Sequence, residues 1–268
     1  ERRIMTIGFI GGGNMATALI SGLISSQKFK PAEITVYDID AVKLKELSNK
    51  LGIVPSNSIT ELEERVDIIV LSVKPNIMPQ ILNNLNGYNE KIYISIAAGI
   101  TLDALANGLG SDKKIIRTMP NTPALVKCGM TVITPNENVD EGEIRLVEDL
   151  LSGVGETVRL EEKYMNAAIA LHSSSPAYIY MLIDAMADSG VKYGIPKALS
   201  QKLAAKAVEG SAKMVLESSE HPMRLKDNVC SPGGTTIAAV CDLEKTGFRS
   251  SIQSAIDSCV NKAEEMSK

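Results

Sequence analysis

The sequence predicts an α/β N-terminal half, built on a doubly wound and largely parallel sheet, followed by an all-α C-terminal half. Three observations carry this expectation. A short apolar run empties into a glycine-rich turn close to the start of the chain. Short apolar strands then alternate with helical stretches, and past about residue 160 strand signals stop while helical patterns continue to the end. The change of pattern divides the chain into domains at 1–160 and 161–268.

The first strand draws on Ile4, Ile7, Phe9 and Ile10, the mostly apolar run of a buried parallel strand. Gly11-Gly12-Gly13-Asn14-Met15-Ala16 follows and fits the G-x-G-x-x-A form of a dinucleotide fingerprint. Gly11 permits the tight turn, and Gly13 has no side chain to hold a pyrophosphate off the backbone. Ala16 lets the next helix pack close to the sheet. Ala18, Leu19, Leu23 and Ile24 continue at helical spacing, so the loop leads into free amides at a positive dipole end. A plain strand-to-helix turn is the alternative. Residues 1–160 therefore read as a Rossmann-type dinucleotide-binding domain.

Residues 33–38 form a second strand ending in Asp38, where a dinucleotide fold places the carboxylate that meets the adenosine ribose hydroxyls. Asp38 or Asp40 can equally cap a helix over 41–51. If Asp38 faces the ribose, its charge repels a 2′-phosphate and leans an NAD(P)H cofactor toward NADH, a lean softened by Lys43 and Lys45. Further strands are expected at 66–73, 91–96, 114–119, 130–134 and 157–160, with helices at 78–85, 102–109 and 141–151. The exits Val73-Lys74-Pro75, Ala97-Ala98-Gly99 and Met119-Pro120-Asn121-Thr122-Pro123 are small or rigid. Each alone reads as turn chemistry. Together, at the carboxyl ends of parallel strands, they line a crevice with room for a flat nicotinamide ring.

In the second half, residues 164–171 are helical and Ser173-Ser174-Ser175-Pro176 interrupts, with Ser175 as N-cap and Pro176 at the first helical position. Residues 177–187 are apolar almost all round, with Asp184 their sole charge. Such a helix must be buried all round, so a second subunit is expected to cover it. The alternative is the central helix of a monomeric bundle. Residues 197–216 form an amphipathic packing helix. Ser231-Pro232-Gly233-Gly234-Thr235-Thr236 then precedes helices at 237–243 and 249–266. It offers bare amides and two hydroxyls at a positive dipole end, a carboxylate receptor without arginine. A glycine-rich linker with a threonine N-cap is the other reading.

Composition narrows the functions. Apolar residues make up 44% and charged residues 22%, an ordinary globular balance. Trp is absent and aromatics make up only 4%, which disfavours single-strand nucleic-acid binding by stacking. A net charge of −4 gives no basic footprint for nucleic acid or anionic membranes. Cys128, Cys230, Cys241 and Cys259 show no C-x-x-C spacing, and with only His172 and His221 beside them no metal site is expected. No apolar leader and no run of transmembrane length is seen, so a reduced, soluble, cytoplasmic protein is expected.

Five stretches then resemble the pyrroline-5-carboxylate reductase family: Gly-Phe-Ile-Gly-Gly-Gly-Asn-Met (8–15), Ser-Val-Lys-Pro (72–75), Ser-Ile-Ala-Ala-Gly-Ile-Thr-Leu (95–102), Met-Pro-Asn-Thr-Pro-Ala (119–124) and Lys-Asp-Asn-Val-Cys-Ser-Pro-Gly-Gly-Thr-Thr-Ile (226–237). The resemblance spans nearly the whole chain in the family's order. It implies hydride transfer from NAD(P)H to the C=N bond of 1-pyrroline-5-carboxylate, giving L-proline in the last step of proline biosynthesis. It also implies a Rossmann domain and an all-α domain that forms a homodimer, with dimers often joined into rings.

Carried over by resemblance, Ile10, Gly11, Gly12, Gly13, Asn14 and Met15 hold the pyrophosphate side, and Asn57 meets the adenosine ribose. Ser72, Val73, Lys74, Pro75, Ala97, Ala98, Gly99 and Asn121 border the nicotinamide. Gly233, Gly234 and Thr235 take the substrate carboxylate, and Thr236 is the threonine beside the imine. Two departures stand out. His172-Ser173-Ser174-Ser175-Pro176 replaces the family's Ser-Gly-Ser-Gly-Pro or Ser-Gly-Ser-Ser-Pro, and Asp38 is unusual after the second strand. His172 reads as a packed histidine at a helix end or as a general acid. The rival readings are a reductase of another cyclic imino acid, a hydroxyacid-type dehydrogenase and a non-catalytic nucleotide sensor. The dehydrogenase is weakened because residues 176–191 lack the lysine it needs.

Overall fold

The computed structural model describes residues 5–267 and divides into two compact units. One runs to Ser173 and regains the residues from Cys259 onward; the other is Ser174–Ser258. Ile4, expected to begin the first strand, lies outside the described residues.

The first unit holds a single eight-stranded sheet: β1 (Ile7–Ile10), β2 (Ile34–Tyr37), β3 (Val54–Pro55), β4 (Ile68–Leu71), β5 (Ile92–Ser95), β6 (Lys114–Met119), β7 (Gly129–Pro135) and β8 (Gly155–Arg159). Their order is β3-β2-β1-β4-β5-β6-β7-β8, and every neighbouring pair is parallel except β6 with β7. Strands such as Ile68-Ile69-Val70-Leu71 are apolar on both faces because helices cover both. Helices α1 (Asn14–Ser25) and α6 (Glu141–Leu151) share one core with Phe9, Ile94 and Ile116. Helices α3 (Ile59–Arg65), α4 (Met78–Leu82) and α5 (Leu102–Leu109) share the other with Ile69, Tyr93 and Ile115. Helix α2 (Ala41–Leu51) adds Leu44 and Leu47 to the first core. Asp40, Ser58, Thr101 and Asp140 cap α2, α3, α5 and α6 with their side chains, each accepting amides of the first turn.

Three features depart from the sequence expectation. β3 and α3 were not anticipated: two residues make a strand too short for any period, and α3 is barely two turns long. The expected interruption at 173–176 is not a break. Helix α7 (Met165–Ala168) runs into a π-helical turn (Ile169–Ser173), and α8 (Ser175–Lys192) follows directly. Ser174 already has helical dihedrals, so Ser175 is the first helical residue rather than its N-cap. The compact unit that holds the sheet runs on to Ser173. Met165, Ala168 and Ile169 pack on Met119 and Val132 of the sheet, which ties this stretch to the strands.

The second unit contains α8, α9 (Lys197–Ser218), α10 (Pro222–Val229) and α11 (Thr235–Lys245). Helix α12 (Phe248–Met266) begins here and ends in the first unit. The short α10 was not anticipated. Gly190 of α8 leaves space for the Ser200 hydroxyl of α9, and Lys197 bonds Asp184 at 3.0 Å and Asp188 at 2.5 Å. Ala187 is the one buried residue of α8; Ile179, Tyr180, Met181 and Met186 are exposed. The helix expected to be buried all round therefore lies open on the single chain. No helix among the described residues is long and apolar enough to cross a membrane.

Candidate active site

The parallel register places Tyr37, Ile10, Leu71, Ser95 and Arg117 on one level across β2, β1, β4, β5 and β6. The loops leaving these strands therefore share the carboxyl edge of the sheet, the ligand edge of doubly wound folds. The turn after β1 is held from three sides. Gly11 has φ +102°, and a Cβ there would sit 2.6 Å from the Ser72 carbonyl oxygen, so no other residue fits. Its N–H donates to the Tyr37 carbonyl at 2.7 Å. The Ser72 hydroxyl lies 2.9 Å from the Ile10 carbonyl and 2.7 Å from that of Gly11, buttressing the turn from β4. The Gly12 N–H donates to Asp38 Oδ2 at 2.7 Å.

Gly13 is different. It is the N-cap of α1, with extended backbone, no side-chain cap and nothing within 4 Å of an added Cβ. The amides of Asn14 and Met15 head the helix where no helical carbonyl reaches them. This open cradle fits a dinucleotide pyrophosphate. Asn14 is exposed, while Met15 packs partly into the core.

Asp38 does not cap α2; Asp40 does, accepting from Val42 and Lys43 at 3.1 Å each. The Asp38 carboxylate instead fixes the glycine loop through Gly12, accepts the Asp40 N–H at 3.0 Å, and lies 3.6 Å from Lys43 Nζ. Asn57 follows Ser56, whose N–H bonds the Val36 carbonyl, and is exposed. Its amide bonds Glu61 at 2.9 Å and, as the largest influence, holds that carboxyl below its ordinary range.

On the far side of the edge, Lys74 is exposed and Pro75 opens a short 3-10 turn, while Val73 packs beneath Gly11. The small residues of the next loop face inward rather than into a crevice. Ala97 packs into the α3–α5 core and Ala98 against Met119 and Met165, so this loop presents backbone. Gly99 has φ +77° with the Met266 carbonyl 3.1 Å from an added Cβ. Asn121 uses its side chain as a brace: its amide donates to the His172 carbonyl at 3.0 Å and its oxygen accepts the Met130 N–H at 2.9 Å. The His172 ring nitrogens lie 2.5 Å from the Ala168 carbonyl and 2.8 Å from the Met119 carbonyl, the surroundings of a packed histidine.

In the second unit, Gly233 has φ +67° and nothing within 4 Å of an added Cβ, and Gly234 is the N-cap of α11 without a side-chain cap. Gly234 bonds back to the Ser231 carbonyl at 3.0 Å, closing a turn beside which the Ser231 side chain packs. Thr235 and Thr236 both lie in the first turn of α11, Thr235 exposed and Thr236 half-buried. The sequence reading passed over one pair near the sheet edge. Arg117, 2% exposed in the middle of an apolar strand, bonds Glu162 at 2.7 Å. A charge inside Ile115-Ile116-Arg117 was its signal.

Comparison with known proteins agrees with this geometry. Residues 162–266 match the family described as pyrroline-5-carboxylate reductase dimerisation, and residues 6–99 the NADP oxidoreductase, coenzyme F420-dependent family. The chain is 47% identical over 264 residues to the pyrroline-5-carboxylate reductase of Escherichia coli (strain K12), covering 98% of each. Among solved structures, Plasmodium falciparum pyrroline carboxylate reductase with NADP bound superposes with a TM-score of 0.90 at 33% identity, covering 98% of each chain. The 1-pyrroline-5-carboxylate reductase of Streptococcus pyogenes does so at 0.89 and 38% identity, covering 97% of this chain and 98% of that one.

Proposed function

The chain belongs to the pyrroline-5-carboxylate reductase family, and from that premise we propose which of its residues perform each part of the reaction. It is an NAD(P)H-dependent oxidoreductase that reduces the C=N bond of 1-pyrroline-5-carboxylate to L-proline, the last step of proline biosynthesis. The reduced nicotinamide nucleotide, when bound, supplies the hydride. The observation that carries the assignment is the glycine turn, with Gly11 locked under Ser72 and Gly13 left open.

In this reading the amides heading α1 take the pyrophosphate, and Gly11, Gly12 and Ser72 keep the turn in shape. Asp38 and Asn57 serve the adenosine ribose. Residues 73–75, 97–99 and Asn121 border the nicotinamide side, the 97–99 loop through its backbone. The fixed Asp38 carboxylate favours a free 2′-hydroxyl and so NADH, with the half-exposed Lys43 moderating the preference.

The substrate makes modest demands. A cyclic imine protonates readily and its carbon is already electrophilic, so a strong enzymic acid is not required. The backbone of Gly233, Gly234 and Thr235 takes the carboxylate at the positive end of α11. The Thr236 hydroxyl holds the imine nitrogen, which takes a proton from solvent, and the adjoining carbon then accepts the hydride. The exposed apolar face of α8 supports a homodimer formed through the helical domain; the reading further takes such dimers to join into a ring and the enzyme to work in the cytoplasm.

Mixing the protein with 1-pyrroline-5-carboxylate and either NADH or NADPH, and following the reduced-nicotinamide absorbance, tests the assignment. Absorbance falls as proline forms, and Thr236→Ala slows turnover on the order of 10²-fold, as for loss of one positioned donor. Full turnover in Thr236→Ala removes that residue from the reaction. No absorbance change with either nucleotide favours a sensor over an enzyme.

A further inference from the structure

We propose that the couple of the buried Arg117 with the half-buried Glu162 is a positioning device for residues 96–101, the loop that carries Ala97, Ala98 and Gly99. This rests on the reading that the loop borders the nicotinamide. One oxygen, Glu162 Oε1, accepts both from Arg117 Nη1 at 2.7 Å and from the Leu102 N–H at 2.8 Å. Leu102 is the first residue of α5, immediately after the loop. Arg117 sits opposite Ser95, the last residue of β5 and the one that launches the loop. A single carboxylate oxygen thus ties the loop's exit to the strand beside its entry. At the entry, the Ala97 N–H lies 3.3 Å from the Ser95 hydroxyl, and the Thr118 hydroxyl donates to the Ser95 carbonyl at 3.1 Å. Gly99 is backed by Met266. The loop is held at both ends and behind its middle.

Stability alone does not account for this couple. Arg117 Nε and Nη2 are buried and find no hydrogen-bond partner among the described residues. A buried charge with unmet donors is unfavourable, and replacing buried ion pairs by neutral groups is often neutral or stabilising. The fold keeps a cation where Leu or Met fits an apolar strand. What the cation supplies is orientation, because it fixes the Glu162 carboxylate against the Leu102 amide. Backbone placement matters here because the loop presents backbone, and small displacements at such a boundary are felt strongly in the reaction.

The double variant Arg117→Met/Glu162→Gln tests this in the full-length protein, since it removes both charges and keeps an acceptor for Leu102. Three quantities are read: the melting temperature, and the dissociation constants of NADH and of ADP-ribose, which lacks the nicotinamide. The expected result is a melting temperature at or above wild type and unchanged ADP-ribose binding. NADH binding weakens about tenfold and kcat/KM falls on the order of 10²-fold. Equal losses for both ligands, or no loss for either, overturn the proposal. Gly99→Ala distorts the loop directly and separates the two levels. If it weakens NADH selectively while the double variant does not, the couple has no positioning role. If it leaves NADH binding intact, the loop is not at the nicotinamide and both readings fall.

Discussion

Gly13→Ala separates the cofactor site from the fold that carries it. Gly13 has φ −67° and ψ −178°, an extended conformation that alanine adopts without strain. An added Cβ meets nothing within 4 Å. Alanine is a poorer N-cap than glycine by about 0.5 kcal/mol, while the unfolded chain loses entropy worth about 0.4–1 kcal/mol in the opposite direction. The two nearly cancel, so the melting temperature moves by no more than about 2 °C. The new methyl group, however, stands in the open space before the amides heading α1. Losing one charge-assisted hydrogen bond to a phosphate is worth about 1.5–3 kcal/mol, which weakens NADH binding about 10- to 100-fold. Gly11→Ala is the contrast. Its φ of +102° and the Ser72 oxygen 2.6 Å from the new Cβ make it a folding defect. Strain of about 1–3 kcal/mol lowers the melting temperature by roughly 5 °C. Differential scanning fluorimetry and nucleotide fluorescence titration measure both quantities on the same samples. NADH binding within twofold of wild type in Gly13→Ala refutes the placement of the pyrophosphate.

Three other outcomes follow from the same geometry. Asp38→Asn keeps an acceptor for the Gly12 N–H but removes the charge, so the kcat/KM ratio of NADH to NADPH falls; Lys43→Ala raises it, and a ratio unmoved by either substitution dismisses Asp38 as the selector. Met181→Glu, on the exposed face of α8, converts the oligomer to monomer in sedimentation velocity at micromolar concentration; a wild type that is already monomeric there ends the dimer claim. Tyr93→Phe strands two groups at once, because the Tyr93 hydroxyl donates to the fully buried Glu63 at 2.7 Å and accepts the Tyr88 N–H at 2.8 Å. Urea unfolding should show a loss of about 1–3 kcal/mol, and no loss means that water replaces the hydroxyl.

What the sequence made legible was whatever repeats with a period or demands one residue type. Strands such as Lys114–Met119 and helices such as Leu102–Leu109 and Glu141–Leu151 lie where their patterns put them. The glycine turn was readable because φ +102° admits almost nothing else. What escaped notice depends on contacts distant in sequence. The two-residue β3 exists because Thr35 and Val36 of β2 pair with it. The serines at 173–175 look like a helix start, yet the π turn before them already supplies helical backbone. There the Ser173 hydroxyl reaches the Pro120 carbonyl and the His172 ring reaches Met119. The methyl groups of Ala97 and Ala98 also fill two cores at once, which no sequence pattern displays.

The distribution of helix caps connects these local facts to the chemistry. Asp40, Ser58, Thr101 and Asp140 occupy the first-turn amides of their helices with side-chain oxygens. Such a cap contributes about 1 kcal/mol relative to alanine but leaves those amides unavailable to a ligand. Helices α1 and α11 begin instead at Gly13 and Gly234, with no side-chain cap on either. Glycine sacrifices only a few tenths of a kcal/mol at such a position and keeps the donors aimed outward. Helices α8 and α9 also start without a side-chain cap; α1 and α11 carry glycine itself at the N-cap, preceded by the left-handed Gly11 and Gly233. On the proposed reading, these two glycine-capped starts are where the reaction brings an anion: the pyrophosphate of the cofactor and the carboxylate of the imino acid. On that reading peptide groups bind both anions, and the buried Arg117 is engaged instead by the Glu162 carboxylate.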